Sequence, residues 1–131
     1  MFNDTDKNVI TKNVISKIVI KSIKGGENMG RLANSGALTE NIYYILLRLH
    51  SPAHGYALMK DIAEMTDGRV NLGAGTLYGA LDTLQKKKWI KQLDEQSKDR
   101  KIEYIITEEG KENFEKEILR LEELLSNAKK R

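Results

Sequence analysis

Four stretches of the chain place apolar residues at helical spacing, and between the third and the fourth the period drops to two. Leu38, Ile42, Ile45, Leu46 and Leu49 lie on one stripe of a helix. Thr39 is placed to cap its start. Ser51-Pro52 ends it, because the residue before a proline is pushed out of the α region. Leu58, Ile62 and Met65 mark a shorter second helix that begins near His54-Gly55 and closes at the turn Asp67-Gly68. A third helix follows Leu72-Gly73-Ala74-Gly75. It turns Leu77, Leu81 and Leu84 inward and Thr76, Gly79, Thr83 and Lys87 outward, with Tyr78 on the flank. Trp89 to Leu93 and Ile102 to Ile106 read as strands joined by the polar tip Gln96 to Arg100, with Ile102, Tyr104 and Ile106 sharing a face. Thr107 is the expected cap of a last helix. Glu108 and Glu109 occupy its first turn, where the helix dipole favours carboxylates, and Phe114, Ile118, Leu121 and Leu125 form its stripe.

Three helices followed by a hairpin is the order of a winged helix-turn-helix. The expected fold is therefore mainly α (α+β), a winged helix with a C-terminal dimerisation helix whose apolar seam needs a partner. The expected division is a winged helix over 29–106 and the terminal helix over 107–131. Residues 1–28 read differently. They form a crude repeat of Lys, Asn, Val and Ile, broken by lysine too often for a secretory signal. Lys24-Gly25-Gly26-Glu27 just before Met29 resembles a translated ribosome-recruiting stretch. Met29 is thus the expected natural start, and 1–28 a poorly ordered leader without a site.

Charge adds a direction. Across 131 residues the net charge is only +3, but between Lys86 and Lys101 seven cations face three anions, whereas between Thr107 and Ser126 seven anions face three cations. In a winged helix the cations fall at the end of the third helix and on the wing, where a polyanion would lie. Thr83, Lys87, Lys98, Arg100 and Lys101 are accordingly candidate contacts to double-stranded DNA. With no cysteine there is neither a disulfide nor a thiolate site, which fits a reducing cytoplasm. The longest apolar run, Ile42 to Leu47, is far too short for a membrane span. No nucleophile, metal or phosphate-loop constellation is present, so neither an enzyme nor a cofactor is expected. His54, at a helix start, reads as a cap rather than a metal ligand. Trp89 reads as the packing root of the wing, with the lining of a ligand pocket as the alternative.

Three motifs now stand in order: His54-Gly55-Tyr56-Ala57-Leu58, Gly75-Thr76-Leu77-Tyr78-Gly79-Ala80-Leu81, and Tyr104-Ile105-Ile106-Thr107-Glu108-Glu109-Gly110. Together they resemble the PadR family of bacterial transcriptional regulators over roughly Leu38 to Leu125. The resemblance implies a cytoplasmic homodimer that represses from a palindromic operator and is released by a small aromatic effector, with Trp89 the candidate for sensing it. It implies DNA contacts at Tyr56, Thr76 and Tyr78 and backbone contacts at the wing cations. It also implies a dimer joined by the first and last helices, for which Ile42, Leu46, Phe114, Ile118, Leu121 and Leu125 are the candidates. Gly79 stands where many relatives have a larger, often basic residue, and Leu121 where the multidrug-binding branch has tryptophan. The rival reading is a protein-interaction module that uses the winged helix as scaffold.

Overall fold

The computed structural model describes residues 36–93 and 101–131. The leader 1–28 and the wing tip with Lys98 and Arg100 lie outside the described residues. Among the described residues are four helices and three strands: α1 (Glu40–Arg48), β1 (Ala53–His54), α2 (Gly55–Met65), α3 (Ala74–Lys86), β2 (Ile90–Gln92), β3 (Glu103–Ile106) and α4 (Glu108–Lys129). Leu38–Phe114 forms one compact unit, which holds the winged helix.

Three of the four helices start at a side-chain cap, and α3 starts at Gly73 without one. The Thr39 hydroxyl accepts from the Ile42 amide at 3.3 Å, and His54 Nδ1 accepts from the Ala57 amide at 3.3 Å, so both expected caps form. The α2–α3 turn needs left-handed backbone at Asp67 (φ 51°) and Gly68 (φ 80°), and the Gly68 amide donates to the Ala63 carbonyl at 2.7 Å. Arg48 Nε donates to Asp61 at 2.7 Å, tying the end of α1 to α2. Arg69 grips Glu40 with two bonds of 2.9 and 2.7 Å.

The expected stripes meet in one core. Ile45, Leu46, Leu49, Leu58, Ile62, Leu77, Leu81, Leu84 and Ile90 are fully buried, with Tyr104, Ile106 and Phe114 nearly so. Phe114 stacks on Tyr43 at 5.2 Å, and His50 meets it edge-on at 5.0 Å. Two residues depart from the expected pattern. Met65 is 46% exposed because it is the last residue of α2, where the stripe runs out over the turn. Ile102 is 48% exposed because β3 begins only at Glu103, so strand alternation no longer governs its direction.

The sheet is antiparallel in the order β1-β3-β2. Ile90 pairs with Ile106 and Gln92 with Tyr104, while Ala53 pairs with Tyr104 on the other side. The expected hairpin is present. The third strand, β1, is an addition, and it clamps the start of α2 to the wing.

The end of α3 is a Schellman turn with lysine in place of the usual glycine. The Trp89 amide donates to the Leu84 carbonyl and the Lys88 amide to the Gln85 carbonyl, both at 3.0 Å, with Lys88 at φ 64°. The carbonyls left beyond that turn meet the start of α4. Trp89 accepts from the Thr107 amide at 2.9 Å, and Lys88 accepts from the Thr107 hydroxyl at 2.7 Å. The same hydroxyl accepts from the Gly110 amide at 3.1 Å, capping α4. A Cβ at Gly110 would collide with the Trp89 carbonyl, so the approach requires glycine. Gly110→Ala is expected to destabilise the fold by about 1–3 kcal/mol, read from urea unfolding followed by Trp89 fluorescence. An unchanged midpoint would contradict this tight junction.

Candidate nucleic-acid interface

The outward face of α3 is built as its sequence pattern demands. With Leu77, Leu81 and Leu84 committed to the core, Thr76, Tyr78, Gly79, Thr83 and Lys87 are all exposed. Thr76 stands in the first turn, behind Gly73, an N-cap whose lack of side chain leaves the helix start without a side-chain cap. Thr83 donates its hydroxyl to the Gly79 carbonyl at 3.1 Å, so its hydrogen is engaged on its own helix. Lys87 lies over the Trp89 ring at 4.8 Å, a cation–π contact that orients its stem. Lys86 pairs with Asp82 at 2.9 Å, an exposed contact of little net worth that a phosphate could displace.

Beside the head of α3 lies a half-open cleft of about 270 Å³ lined by His54, Gly55, Tyr56, Tyr78, Lys101, Ile102 and Tyr104. Three elements converge there: the start of α2, the second turn of α3 and the root of the wing. Tyr56 is 68% exposed and Tyr78 51%, large aromatic rings that the core does not take. Lys101 supplies the cation. Tyr104 closes the floor, and burial, then the neighbouring Tyr78, raise its pKa above the ordinary tyrosine value. The neutral phenol is thus the form the site favours.

Four of the expected contact residues are therefore placed around the head of α3: Tyr56, Tyr78 and Lys101 in the cleft, and Thr76 exposed at the helix start. Ile102 and Tyr104 were not expected there. Tyr104 alternates inward like any strand residue, and only the pairing of β1 against β3 brings it beneath the start of α2. Trp89 is half-buried and does not line the cleft. Among the described residues no cluster of His and carboxylates could hold a metal, and no helix is long and apolar enough to cross a membrane.

The dimer candidates divide by exposure. Leu46 is fully buried and Phe114 nearly so, and their side chains belong to the subunit's own core. Ile42 and Ile118 are half-buried. Leu121, Leu124 and Leu125 on the distal part of α4 are 39%, 50% and 56% exposed. On that stretch Glu117 is buried and holds Arg120 through two bonds of 2.7 Å.

Residues 41–116 match the Transcriptional regulator PadR-like family, more than half of the chain. The chain belongs to the PadR-like family. Membership makes it a transcriptional regulator and not an enzyme. Among solved structures, a transcriptional regulator from Clostridium thermocellum is 26% identical, with a TM-score of 0.58 over 73% of this chain and 93% of that one. RosR of H. salinarum is 30% identical, with a TM-score of 0.52 over 69% of this chain and 76% of that one. A PadR family transcriptional regulator from Eggerthella lenta shares the fold at 20% identity, with a TM-score of 0.60 over 88% of this chain and 94% of that one. An uncharacterized 37.1 kDa protein in transposon TN4556 of Streptomyces fradiae is 38% identical over 66 residues, 50% of this chain. The match spans only 18% of that relative.

The raised pKa of Tyr104 makes a signed prediction for this PadR-like chain. An unfolded tyrosine ionises near pH 10, below the folded value, so the contribution of the neutral phenol is complete below that pH and is lost as pH rises towards the folded value. Between about pH 9 and about pH 11 the melting temperature of the wild type should fall more than that of Tyr104→Phe. Parallel curves would show that Tyr104 does not report the burial described.

Proposed function

We propose that this PadR-like regulator is a homodimer that represses transcription by occupying a palindromic operator, with α3 in the major groove and the wing cations on the flanking phosphates. The observation that carries the reading is the convergence of Tyr56, Tyr78 and Lys101 on one cleft beside the exposed face of α3. Aromatic hydroxyls and a lysine just before β3, at the head of a recognition helix, suit a sugar-phosphate backbone, whose oxygens accept from both. Thr76, Thr83 and Lys87 extend the same surface along α3. Lys98 and Arg100 are proposed to continue it on the wing tip.

In this reading phosphate contacts supply most of the affinity, and binding weakens steeply with salt. Lys101→Ala should weaken binding to operator and random duplex alike and flatten the plot of log affinity against log salt by about one unit. Tyr78→Ala should weaken operator binding more than random-duplex binding. Mobility shifts with DNA from upstream of the chain's own gene, against scrambled duplex, provide the measurement. No preference for that DNA over scrambled competitor would instead favour the protein-interaction reading.

The dimer is proposed to form through Leu121 and, about one turn further on, Leu124 and Leu125, apolar residues that the single chain leaves exposed. Leu121→Glu combined with Leu125→Glu should give a monomer in sedimentation at micromolar concentration. That variant should keep its melting transition and lose cooperative operator binding. A dimer that survives both charges would place the interface elsewhere.

A further inference from the structure

Gly55 is a glycine whose conformation does not ask for one. It is the first residue of α2, the left-handed backbone among the glycines described is at Gly68, and alanine is the better helix former. What glycine supplies at this position is space. A Cβ on Gly55 would lie 2.5 Å from the Tyr78 hydroxyl oxygen, 2.8 Å from Cζ and 3.1 Å from Cε1. Any heavier residue would therefore drive the phenol of Tyr78 from where it lies. Gly73, Gly75 and Gly79, at the start and along the exposed face of α3, have nothing within 4 Å of such a Cβ, so a glycine in this neighbourhood is not crowded by default.

The ring of Tyr78 consequently lies across the start of α2 with its hydroxyl end over Gly55. That position makes it a wall of the cleft, near enough to Tyr104 to help raise the pKa of that phenol. Rotating Tyr78 away from α2 would remove that wall of the cleft. The seat is formed from two elements: α3 supplies the ring and α2 supplies the vacancy.

We propose that Gly55 is a positioning residue for Tyr78, setting DNA affinity solely by clearing the seat in which that phenol lies. This rests on the reading of the cleft as a DNA contact surface. Gly55 itself contributes no side chain to DNA, and its influence is conditional on the ring at position 78.

The test is a double-mutant cycle on the full chain: wild type, Gly55→Ala, Tyr78→Ala and the double variant, each measured for melting temperature and for affinity to the upstream duplex. Gly55→Ala should lower the melting temperature of the wild type. In the Tyr78→Ala background it should leave the melting temperature unchanged or raise it, because alanine then enters open space with better helix propensity. Tyr78→Phe, which removes the oxygen at 2.5 Å but keeps Cζ at 2.8 Å, should relieve only part of the loss. Affinity should follow the same pattern. Gly55→Ala should weaken binding about tenfold in the wild-type background and less than about twofold in the Tyr78→Ala background. Equal effects of Gly55→Ala in both backgrounds, in melting or in affinity, would overturn the proposal. So would a coupled loss of stability with wild-type affinity, since the seat would then not matter to DNA. If none of the four proteins binds the duplex, the DNA reading of the cleft fails, and the affinity claim with it, while the melting cycle still decides whether the two residues share the seat.

Discussion

The junction at Thr107 is the contact on which the rest of the winged helix depends. Its amide and hydroxyl bond the carbonyls of Trp89 and Lys88, and Gly110 lets the first turn of α4 press against that same backbone. Four elements end or begin within this one knot: α3, β2, β3 and α4. The Ile106 amide extends it by donating to the Leu49 carbonyl at 2.8 Å, just beyond the end of α1. Each hydrogen bond lost here would cost about 0.5–1.5 kcal/mol. The consequence for function is orientation. The exposed face of α3 and the root of the wing are held to one geometry by main-chain bonds together with the Thr107 hydroxyl.

From that frame the chemistry of the surface follows by subtraction. The core takes most leucines and isoleucines of the stripes within the winged helix, together with Tyr104 and Phe114. What it leaves outside is selective: Tyr56, Tyr78 and Ile102 around one cleft, Lys101 at its edge, and small residues along α3. A helix face of Gly, Thr and Gly has no bulk to hold a backbone away from it, while the flanking aromatics and cations offer donors. In the proposed function, packing and recognition are divided between opposite faces of the thirteen-residue helix α3.

Much of this was legible in the residues because the signals were periodic or chemical. Long apolar stripes predicted all four helices, and Thr39 and His54 announced their own capping roles. The order of elements led to the winged helix, and three motifs in series led to the family. The rest lies where no period exists or where the decisive contact is between distant segments. A strand of two residues after Pro52 has no alternation to read. Met65 and Ile102 sit at the ends of elements, where the pattern of the interior no longer applies. Gly55 and Gly110 looked like ordinary motif glycines, and the atoms that require them, the Tyr78 phenol and the Trp89 carbonyl, are separated from them along the chain. Leu46 and Phe114 show the converse: helical spacing marks an apolar residue but does not say whether its own subunit or a second one covers it.

In the proposed function a rigid winged helix presents the cleft and the α3 face to a duplex. An amide-resolved NMR titration of the labelled protein with promoter DNA tests it most directly. Shifts should concentrate at Tyr56, Thr76, Tyr78 and Lys101, with the amides of Trp89, Thr107 and Gly110 keeping their bonded positions. Shifts confined to the distal part of α4, or a junction whose amides move as far as the cleft, would contradict it.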